Sequence, residues 1–336
     1  MKILIVKLGA IGDVIRTTAI LKGLKEKFEN AEIYWITKKS SSPIIENNPE
    51  INKIFLIEHA DECKNIDYDW VISLDDEDSA CSIASSVSCK KITGAILKEG
   101  RKTYTDDSSL WFDMGLLSKF GKEKADILKA KNRKTYQEII YKILNLEYKK
   151  QEPSIFLDDI HLKFGKRFAK KNNIRMEDKA IGVNTGAGGR WEDKKLSVEK
   201  TAEMIGIISK EFPETGMILF GGPEEHERNK KILEISKAKI IDAGCYNSLM
   251  EFASLVDLCN VLITSDSLAL HIGIALKKKI VSFFCPTSPW EIEIYGRGEK
   301  IIPKKGCICC YRRECSVKPD YDVKEIAEKT LELCRK

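Results

Sequence analysis

The sequence predicts an α/β protein built from two doubly wound domains. Short apolar segments alternate with helical segments along both halves of the chain, a pattern typical of parallel sheets covered by helices. Glycine-containing turns follow several predicted strands, as they do at the ligand-binding edges of such sheets. The chain has 336 residues, which is too long for one ordinary core.

The composition indicates a globular protein without a membrane span. Apolar residues make up 43% of the chain, and no stretch approaches the roughly 18 consecutive apolar residues that a spanning helix needs. The apolar residues 1–7 are too few for a signal peptide and are predicted to form the first strand. We therefore expect a cytoplasmic protein, where eleven cysteines do not indicate a disulfide framework.

The first predicted domain covers residues 1–152. Its predicted strands are 3–6, 32–36, 53–57, 70–74 and 91–94, and its predicted helices are 13–28 and 133–146. The boundary is placed where the sequence becomes polar and meets Pro153.

The second predicted domain covers residues 153–322 and repeats the alternation. Its predicted strands are 180–183, 216–220, 240–241, 261–263 and 280–284, separated by predicted helices that include 197–212 and 248–258. A last helix, within residues 323–336, ends the chain.

Residues 119–134 form a basic stretch with seven lysines and arginines and two acids. One interpretation is a solvated helix face. The other is a surface for an anionic acceptor or for membrane headgroups. Nucleic acid is not expected, because no recognition motif or interleaved aromatic residues accompany the charge.

The turn after the first predicted strand contains Gly9, Gly12 and Asp13. The glycines let the backbone turn sharply and approach a ligand. The turn lacks G-x-G-x-x-G, and no acid ends the second strand, so a dinucleotide site is not indicated. Asp13 suits a helix N-cap, and it also lies where a general base would act.

The second domain has similar turns. Thr185, Gly186 and Gly188 follow a strand and precede Lys194. This amide-rich loop with nearby cations indicates diphosphate binding, although a solvated loop is the alternative. Glu224, after the next strand, suits either a ribose hydroxyl or the first turn of a helix.

Residues 261–289 are the most informative segment, a predicted strand, turn, helix, strand and turn. Both turns are expected at the carboxyl end of a parallel sheet, where α/β proteins bind ligands. The first turn holds Asp266 and Ser267, and its hydroxyl and helix amides suit a phosphate. His271, one turn into the helix, is either a packed core residue or a group that reaches back to the turn.

Five segments resemble glycosyltransferase family 9, the ADP-heptose:lipopolysaccharide heptosyltransferases. They occur in family order at residues 6–14, 186–191, 220–224, 265–271 and 286–289. The resemblance implies a GT-B architecture of two Rossmann-like domains whose parallel sheets face each other across a cleft. It places the acceptor on the first domain, the donor nucleotide on the second and the active site between them. It also implies that the last helix packs back toward the first domain.

The resemblance also implies roles for individual residues. Asp13 matches the catalytic base, which deprotonates the acceptor hydroxyl, and Lys194 matches the lysine that contacts the donor diphosphate. The remaining expected donor-site residues are Thr185, Gly186, Gly188, Glu224, Asp266, Ser267, Leu268, His271 and Thr287. Leu268 and Cys285 stand where the family usually has glycine, so the leucine is expected to narrow the approach to the phosphates or the sugar.

The activity implied is inverting transfer of a heptose or similar sugar from an ADP-sugar to an anionic saccharide or glycolipid acceptor of the lipopolysaccharide-core type. No cofactor is required, because helix amides and Lys194 can neutralise the diphosphate. Peripheral contact with the cytoplasmic face of the inner membrane fits such an acceptor. The alternatives are a relative that transfers another sugar or glycosylates protein, and a non-catalytic nucleotide-sugar-binding protein.

Four cysteines lie close together near the C-terminus: Cys307, Cys309, Cys310 and Cys315. The pair Cys307 and Cys310 has metal-site spacing, but no second such pair follows. The resemblance adds that some protein-modifying relatives bind iron through cysteines. A structural iron or zinc ion and a group of reduced, unligated thiols both stay open.

Overall fold

The computed structural model describes residues 1–174, 180–189 and 191–335. The chain forms two compact units. Unit 1 comprises Met1–Phe156 and Trp290–Glu293, and unit 2 comprises Leu157–Pro289 and Ile294–Lys336. The main boundary lies close to the expected one at residue 152, but the return of four residues to unit 1 has no counterpart in the sequence-based prediction.

Unit 1 is a six-stranded sheet with helices on it. Its strands are β1 (Lys2–Val6), β2 (Glu32–Thr37), β3 (Lys53–Leu56), β4 (Tyr68–Ser73), β5 (Cys89–Lys98) and β6 (Arg101–Tyr104). Its helices are α1 (Ile11–Thr17), α2 (Ala19–Lys27), α3 (Asp61–Lys64), α4 (Asp78–Ser86), α5 (Ser109–Phe112), α6 (Lys122–Lys131) and α7 (Tyr136–Ile143).

The sheet of unit 1 has the strand order β3-β2-β1-β4-β5-β6. It is parallel except for β6, which pairs with β5 in antiparallel orientation. The central strand β1 is fully buried from Ile3 to Val6, as expected when both faces of a parallel sheet are covered. The strand order reverses between β1 and β4, and the carboxyl ends of this pair therefore define the ligand-binding edge.

The single helix predicted over residues 13–28 is divided into α1 and α2 at Thr18. The Thr18 hydroxyl donates to the Ile15 carbonyl oxygen at 2.7 Å and accepts a hydrogen bond from the Ser154 amide at 2.9 Å. Threonine hydroxyls compete in this way with helical hydrogen bonding.

Unit 2 contains a second six-stranded sheet. Its strands are β7 (Ile181–Asn184), β8 (Met217–Phe220), β9 (Ile240–Asp242), β10 (Val261–Ser265), β11 (Lys279–Phe283) and β12 (Gly298–Ile301). Its helices are α8 (Asp159–Lys171), α9 (Val198–Glu211), α10 (His226–Ile235), α11 (Leu249–Asp257), α12 (Leu268–Ala275) and α13 (Val323–Arg335). The order β12-β11-β10-β7-β8-β9 is parallel throughout and reverses between β7 and β10.

The last helix, α13, packs within unit 2 against α9. Its apolar residues, among them Ile326, Ala327 and Leu331, are buried in the same core cluster as Ile205 and Ile208 of α9. The apolar face of α13 is thus covered by its own unit, and the expected packing toward the first domain stays a prediction. In the described part of the chain, no helix combines the length and apolar content required to cross a membrane.

Candidate functional site

In unit 1, Asp13 lies in the first turn of α1, just beyond the carboxyl end of β1. Its side chain does not cap the helix: the N-cap position is Ala10, and no side-chain cap is formed. The carboxylate is one-third exposed. The structure therefore removes the capping interpretation and leaves an accessible carboxylate at the ligand-binding edge of the sheet.

A buried acid that the sequence analysis missed, Asp75, organises the backbone beside Asp13. One of its carboxylate oxygens lies 3.1 Å from Lys7 Nζ and accepts hydrogen bonds from the amides of Leu8 (3.0 Å) and Gly9 (3.3 Å). Lys7 Nζ is also 4.0 Å from Asp13 Oδ2. Burial lowers the pKa of Lys7, but the charges of Asp13 and Asp75 outweigh burial and leave this pKa raised. Lys7 is thus held as a cation next to Asp13.

Arg16 is the second cation at Asp13. Its guanidinium nitrogen lies 2.8 Å from Asp13 Oδ1. The guanidinium lies over the ring of Tyr136 at 4.0 Å and near that of Trp111 at 5.3 Å, distances at which cation–π attraction operates. Tyr136 in turn shares a 2.7 Å hydrogen bond with Thr17. Lys7 and Arg16 thus place two positive charges beside the Asp13 carboxylate.

In unit 2, the predicted donor-site residues gather where β7 and β10 end. Asn184, the last residue of β7, connects the two strand ends: its amide nitrogen donates to the Gly186 carbonyl (2.8 Å) and lies near the hydroxyls of Thr264 (3.1 Å) and Ser267 (3.3 Å). The Ser267 hydroxyl is a further 3.0 Å from that of Thr264. Asn184 was not predicted, although an amide that directly follows a strand's apolar residues was a usable signal.

Lys194, Asp266 and Thr287 form a single contact group. Lys194 Nζ lies 2.6 Å from the Asp266 carbonyl oxygen and 3.0 Å from its carboxylate, and the Thr287 hydroxyl donates to the same carboxylate at 2.6 Å. Burial raises the pKa of Asp266, but Lys194, His271 and the Thr287 hydrogen bond outweigh it, so the pKa is lowered. The sequence analysis named Lys194, Asp266, Thr287 and His271, and the structure brings these four residues together.

The loop after β7 has a conformation that requires its glycines. Gly188 has φ +68°, which favours glycine, and a Cβ on Gly186 would lie only 3.0 Å from the Glu225 carboxylate. Arg190 of the same motif lies outside the described residues. The Thr185 hydroxyl is turned inward, 3.1 Å from the Phe220 carbonyl and 2.6 Å from the Asn229 side-chain oxygen. The Thr185 hydroxyl thus connects the end of β7 to α10 by hydrogen bonds.

Glu224 and Glu225 differ in their surroundings. Glu224 is exposed, with its carboxylate close to the backbone of Gly189. Glu225 is buried, bonds the Gly222 amide at 3.0 Å and pairs with Lys195 at 3.1 Å. Lys195 and Glu225 were not predicted as partners, because their contact joins segments far apart in sequence.

Leu268 begins α12 directly after Ser267 and is half-buried, as is His271 one turn later. The first amides of a helix have no intrahelical acceptor. Because α12 starts at the carboxyl end of β10, these amides, the Ser267 hydroxyl and the Lys194 cation occupy one edge of the sheet. That combination suits a diphosphate.

Three of the four cysteines of the predicted cluster come together. The sulfurs of Cys307, Cys310 and Cys315 lie within 4.8 Å of one another, and Cys309 does not belong to this group of described residues. A buried cysteine that the sequence analysis did not include, Cys285, has its sulfur 3.6 Å from that of Cys315. Sulfur atoms bound to one tetrahedral zinc or iron ion lie at similar separations, so Cys307, Cys310 and Cys315 fit three ligands of a soft metal ion.

The fold is an α/β architecture of two Rossmann-like units, each with polar side chains at the carboxyl ends of its parallel strands. The model of the family described as glycosyltransferase family 9 (heptosyltransferase) matches residues 57–320. The chain belongs to glycosyltransferase family 9 and has the GT-B fold.

Individual relatives agree with this membership. The chain is 25% identical to lipopolysaccharide heptosyltransferase 1 of Campylobacter coli, over 90% of this chain and 89% of that protein. In fold it is similar to a family 9 glycosyltransferase from Veillonella parvula (TM-score 0.79, 18% identity, 99% and 97% of the two chains). It is also similar to E. coli heptosyltransferase WaaC, solved with ADP (TM-score 0.64, 16% identity, 99% of each chain).

Proposed function

We propose that this glycosyltransferase is an inverting heptosyltransferase that uses ADP-heptose and an anionic saccharide acceptor of the lipopolysaccharide-core type. The observation that carries the proposal is the Lys194–Asp266–Thr287 group beside the start of α12. The names of the relatives support the sugar and the acceptor class, and the ADP in the E. coli structure supports the nucleotide.

In the proposed reaction, the Asp13 carboxylate removes the proton from the acceptor hydroxyl. That oxygen attacks the anomeric carbon of the donor sugar, a new carbon–oxygen bond forms, and the bond to the diphosphate breaks. One displacement of this kind inverts the anomeric configuration. Lys7 and Arg16 hold the carboxylate ionised and oriented, which general-base catalysis requires.

The leaving ADP gains negative charge as the bond breaks. Lys194 and the first amides of α12 would stabilise this charge, and fixed donors of this kind are a major source of catalysis. Because Lys194 already contacts Asp266, the diphosphate would share this cation with the carboxylate. Since Lys194 and the α12 amides would compensate the charge of the diphosphate, the reaction would proceed without a metal ion there.

The test is transfer from a panel of sugar nucleotides that contains ADP-heptose, ADP-glucose, UDP-glucose and GDP-mannose. Product is detected by mass spectrometry, and its anomeric configuration is read by NMR. Transfer from ADP-heptose with inversion is expected, and added Mg²⁺ or Mn²⁺ should not raise its rate. Preference for another sugar nucleotide would favour the relative that moves a different sugar, and nucleotide binding without any transfer would favour a non-catalytic protein.

The cysteine group forms a second part of the proposal, a structural zinc or iron site held by Cys307, Cys310 and Cys315, with the Cys285 sulfur in contact with Cys315. The cysteines contact or lie next to the chain segments that form the proposed donor site. The Cys315 amide donates to Asp193, the neighbour of Lys194, at 2.7 Å, and Cys285 lies two residues before Thr287. An ion here would hold both donor-site segments in place.

Metal content and stability test this site. Protein purified without chelators is expected to contain about one zinc or iron per chain, and Cys310→Ser and Cys315→Ser are expected to lose it and to unfold at lower temperature. Cys89→Ser, at a half-buried cysteine of β5, is the control. Wild-type protein without bound metal, which also fails to take up Co²⁺ with a thiolate absorption band, would reject the site.

A further inference from the structure

Unit 1 carries an unusual surface on and around α6, which we call the α6 surface. It consists of three exposed apolar residues and a set of cations: Leu116, Phe120, Ile127, Lys119, Lys122, Lys124, Lys129, Lys131, Arg133 and Lys134. The apolar residues are 86% (Leu116), 51% (Phe120) and 49% (Ile127) exposed. Large apolar side chains that cluster at such exposure mark an interaction site.

The geometry of α6 presents apolar and basic groups on the same outward face. Ala125 is buried and marks the inward side of the helix. Ile127 lies about 160° around the helix from Ala125 at two residues' separation, and Lys124 and Lys131 flank it at spacings of three and four residues. Lys124 Nζ lies 4.0 Å from the ring centroid of Phe120. Lysines therefore lie beside both Phe120 and Ile127.

The charge of this segment identifies the kind of partner. Residues 119–134 contain seven lysines and arginines and two acids, so their excess of five cations equals the net charge of +5 of the entire chain. Asp126 pairs with Lys122 at 2.6 Å, Lys119 pairs with Asp106 at 3.0 Å, and Glu123 is the other acid of the segment. The positive charge beyond these pairs comes from Lys124, Lys129, Lys131, Arg133 and Lys134. Exposed aromatic and aliphatic side chains beside such cations complement the headgroup region of an anionic bilayer.

We propose that the α6 surface docks unit 1 on an anionic lipid bilayer, with Leu116, Phe120 and Ile127 inserted among the headgroups and the lysines next to lipid phosphates. The inference deepens the proposed function, on which it rests for the membrane location of a glycolipid acceptor. A soluble anionic saccharide would use the lysines but would give the exposed apolar residues no partner.

Vesicle co-sedimentation with the full chain tests the proposal. Wild-type protein is expected to bind phosphatidylcholine–phosphatidylglycerol vesicles and to bind pure phosphatidylcholine weakly. Replacing two cations, Lys124→Gln with Lys131→Gln, is expected to weaken binding about 25-fold, because each cation contributes about fivefold. The double substitution Phe120→Ser with Ile127→Ser is expected to weaken vesicle binding about tenfold. The remaining binding should be abolished by high salt.

Ile160→Ser with Ile235→Ser is the matched control, since these isoleucines of unit 2 are 71% and 50% exposed. It is expected to bind vesicles like wild type. Unchanged binding in the α6 variants, or no binding of wild type to anionic vesicles, would overturn the proposal. Sugar transfer to a delipidated, soluble acceptor separates this outcome from the proposed function. The α6 variants should retain this transfer activity. If wild-type protein lacks it, the result counts against the proposed enzyme and not against the docking surface.

Discussion

Arg16 and Asp13 form an ion pair of 2.8 Å on α1, and the guanidinium of this pair is held by the faces of Tyr136 and Trp111. The pair determines how the carboxylate is presented. A charged neighbour favours the ionised acid, and the aromatic rings restrict the directions that the arginine can take.

The Asp13→Asn variant tests the proposed base. The amide keeps the size of the side chain but cannot accept the acceptor's proton. We expect the transfer rate to fall by a factor of about 10²–10⁴, with donor affinity nearly unchanged. Turnover by mass spectrometry and ADP binding by calorimetry provide the two measurements, and near-wild-type turnover would remove Asp13 from the role.

Arg16→Met tests whether the ion pair matters for catalysis. Loss of the cation makes the ionised carboxylate less favourable. We expect the acid limb of the pH profile of kcat/KM to move to higher pH, with a smaller change in the plateau value. Arg16→Lys should restore part of the shift. A profile of unchanged shape with a uniformly lower rate would indicate that Arg16 only stabilises the fold.

Lys194→Ala should weaken ADP binding by about 1.5–3 kcal/mol, the size of a hydrogen bond to a charged group. Adenosine, which has no phosphate, should bind almost as before. Lys200→Ala is the control, because Lys200 forms an exposed ion pair with Asp320 in the same unit and should change neither affinity. Equal losses for ADP and adenosine would place Lys194 away from the diphosphate.

Leu268→Gly tests the departure from the family pattern at the start of α12. Leu268 is half-buried there, and its side chain is expected to limit the space for the sugar. Its removal should lower the discrimination between donor sugars by about 1–3 kcal/mol. The affinity for ADP should change little. Competition between two sugar nucleotides measures the effect, and an unchanged order of preference would mean that Leu268 serves packing alone.

The lowered pKa of Asp266 predicts a pH-dependent stability of unit 2. A carboxyl whose folded-state pKa lies below its unfolded value of about 3.9 stabilises the fold above that pH. This contribution is lost as the pH falls through the folded-state pKa. The difference in unfolding free energy between wild type and Asp266→Asn should therefore be constant from pH 7 to about pH 5 and shrink below pH 4. Urea titrations at several pH values test this, and a constant difference would contradict it.

The sequence predicted the parallel strands and the turns that follow them because local patterns determine both. Asp13, Lys194, Asp266, Ser267 and Thr287 were singled out because each lies just after a strand or in the loop that follows it, and because their segments resemble the family pattern; their roles stay predictions. Strand β12 was missed because Gly298–Ile301 contains two charged residues and no apolar alternation. The contacts of Asp75 and Cys285 were missed because they join distant segments, which no local pattern reveals, whereas Asn184 was missed although its position at the end of a strand was a usable signal.

The segment Trp290–Glu293 belongs to unit 1 although the chain on both sides of it belongs to unit 2. In unit 1, the Glu291 carbonyl accepts the Tyr136 amide at 2.9 Å, and Glu293 pairs with Lys150. A fragment that ends at Phe156 would thus expose the start of α7 and remove a support of the ring on which Arg16 rests. Exchanging either unit with that of a relative would require two separate splices in the gene for these four residues alone, and a graft that omitted them would leave the Tyr136 amide without its Glu291 acceptor.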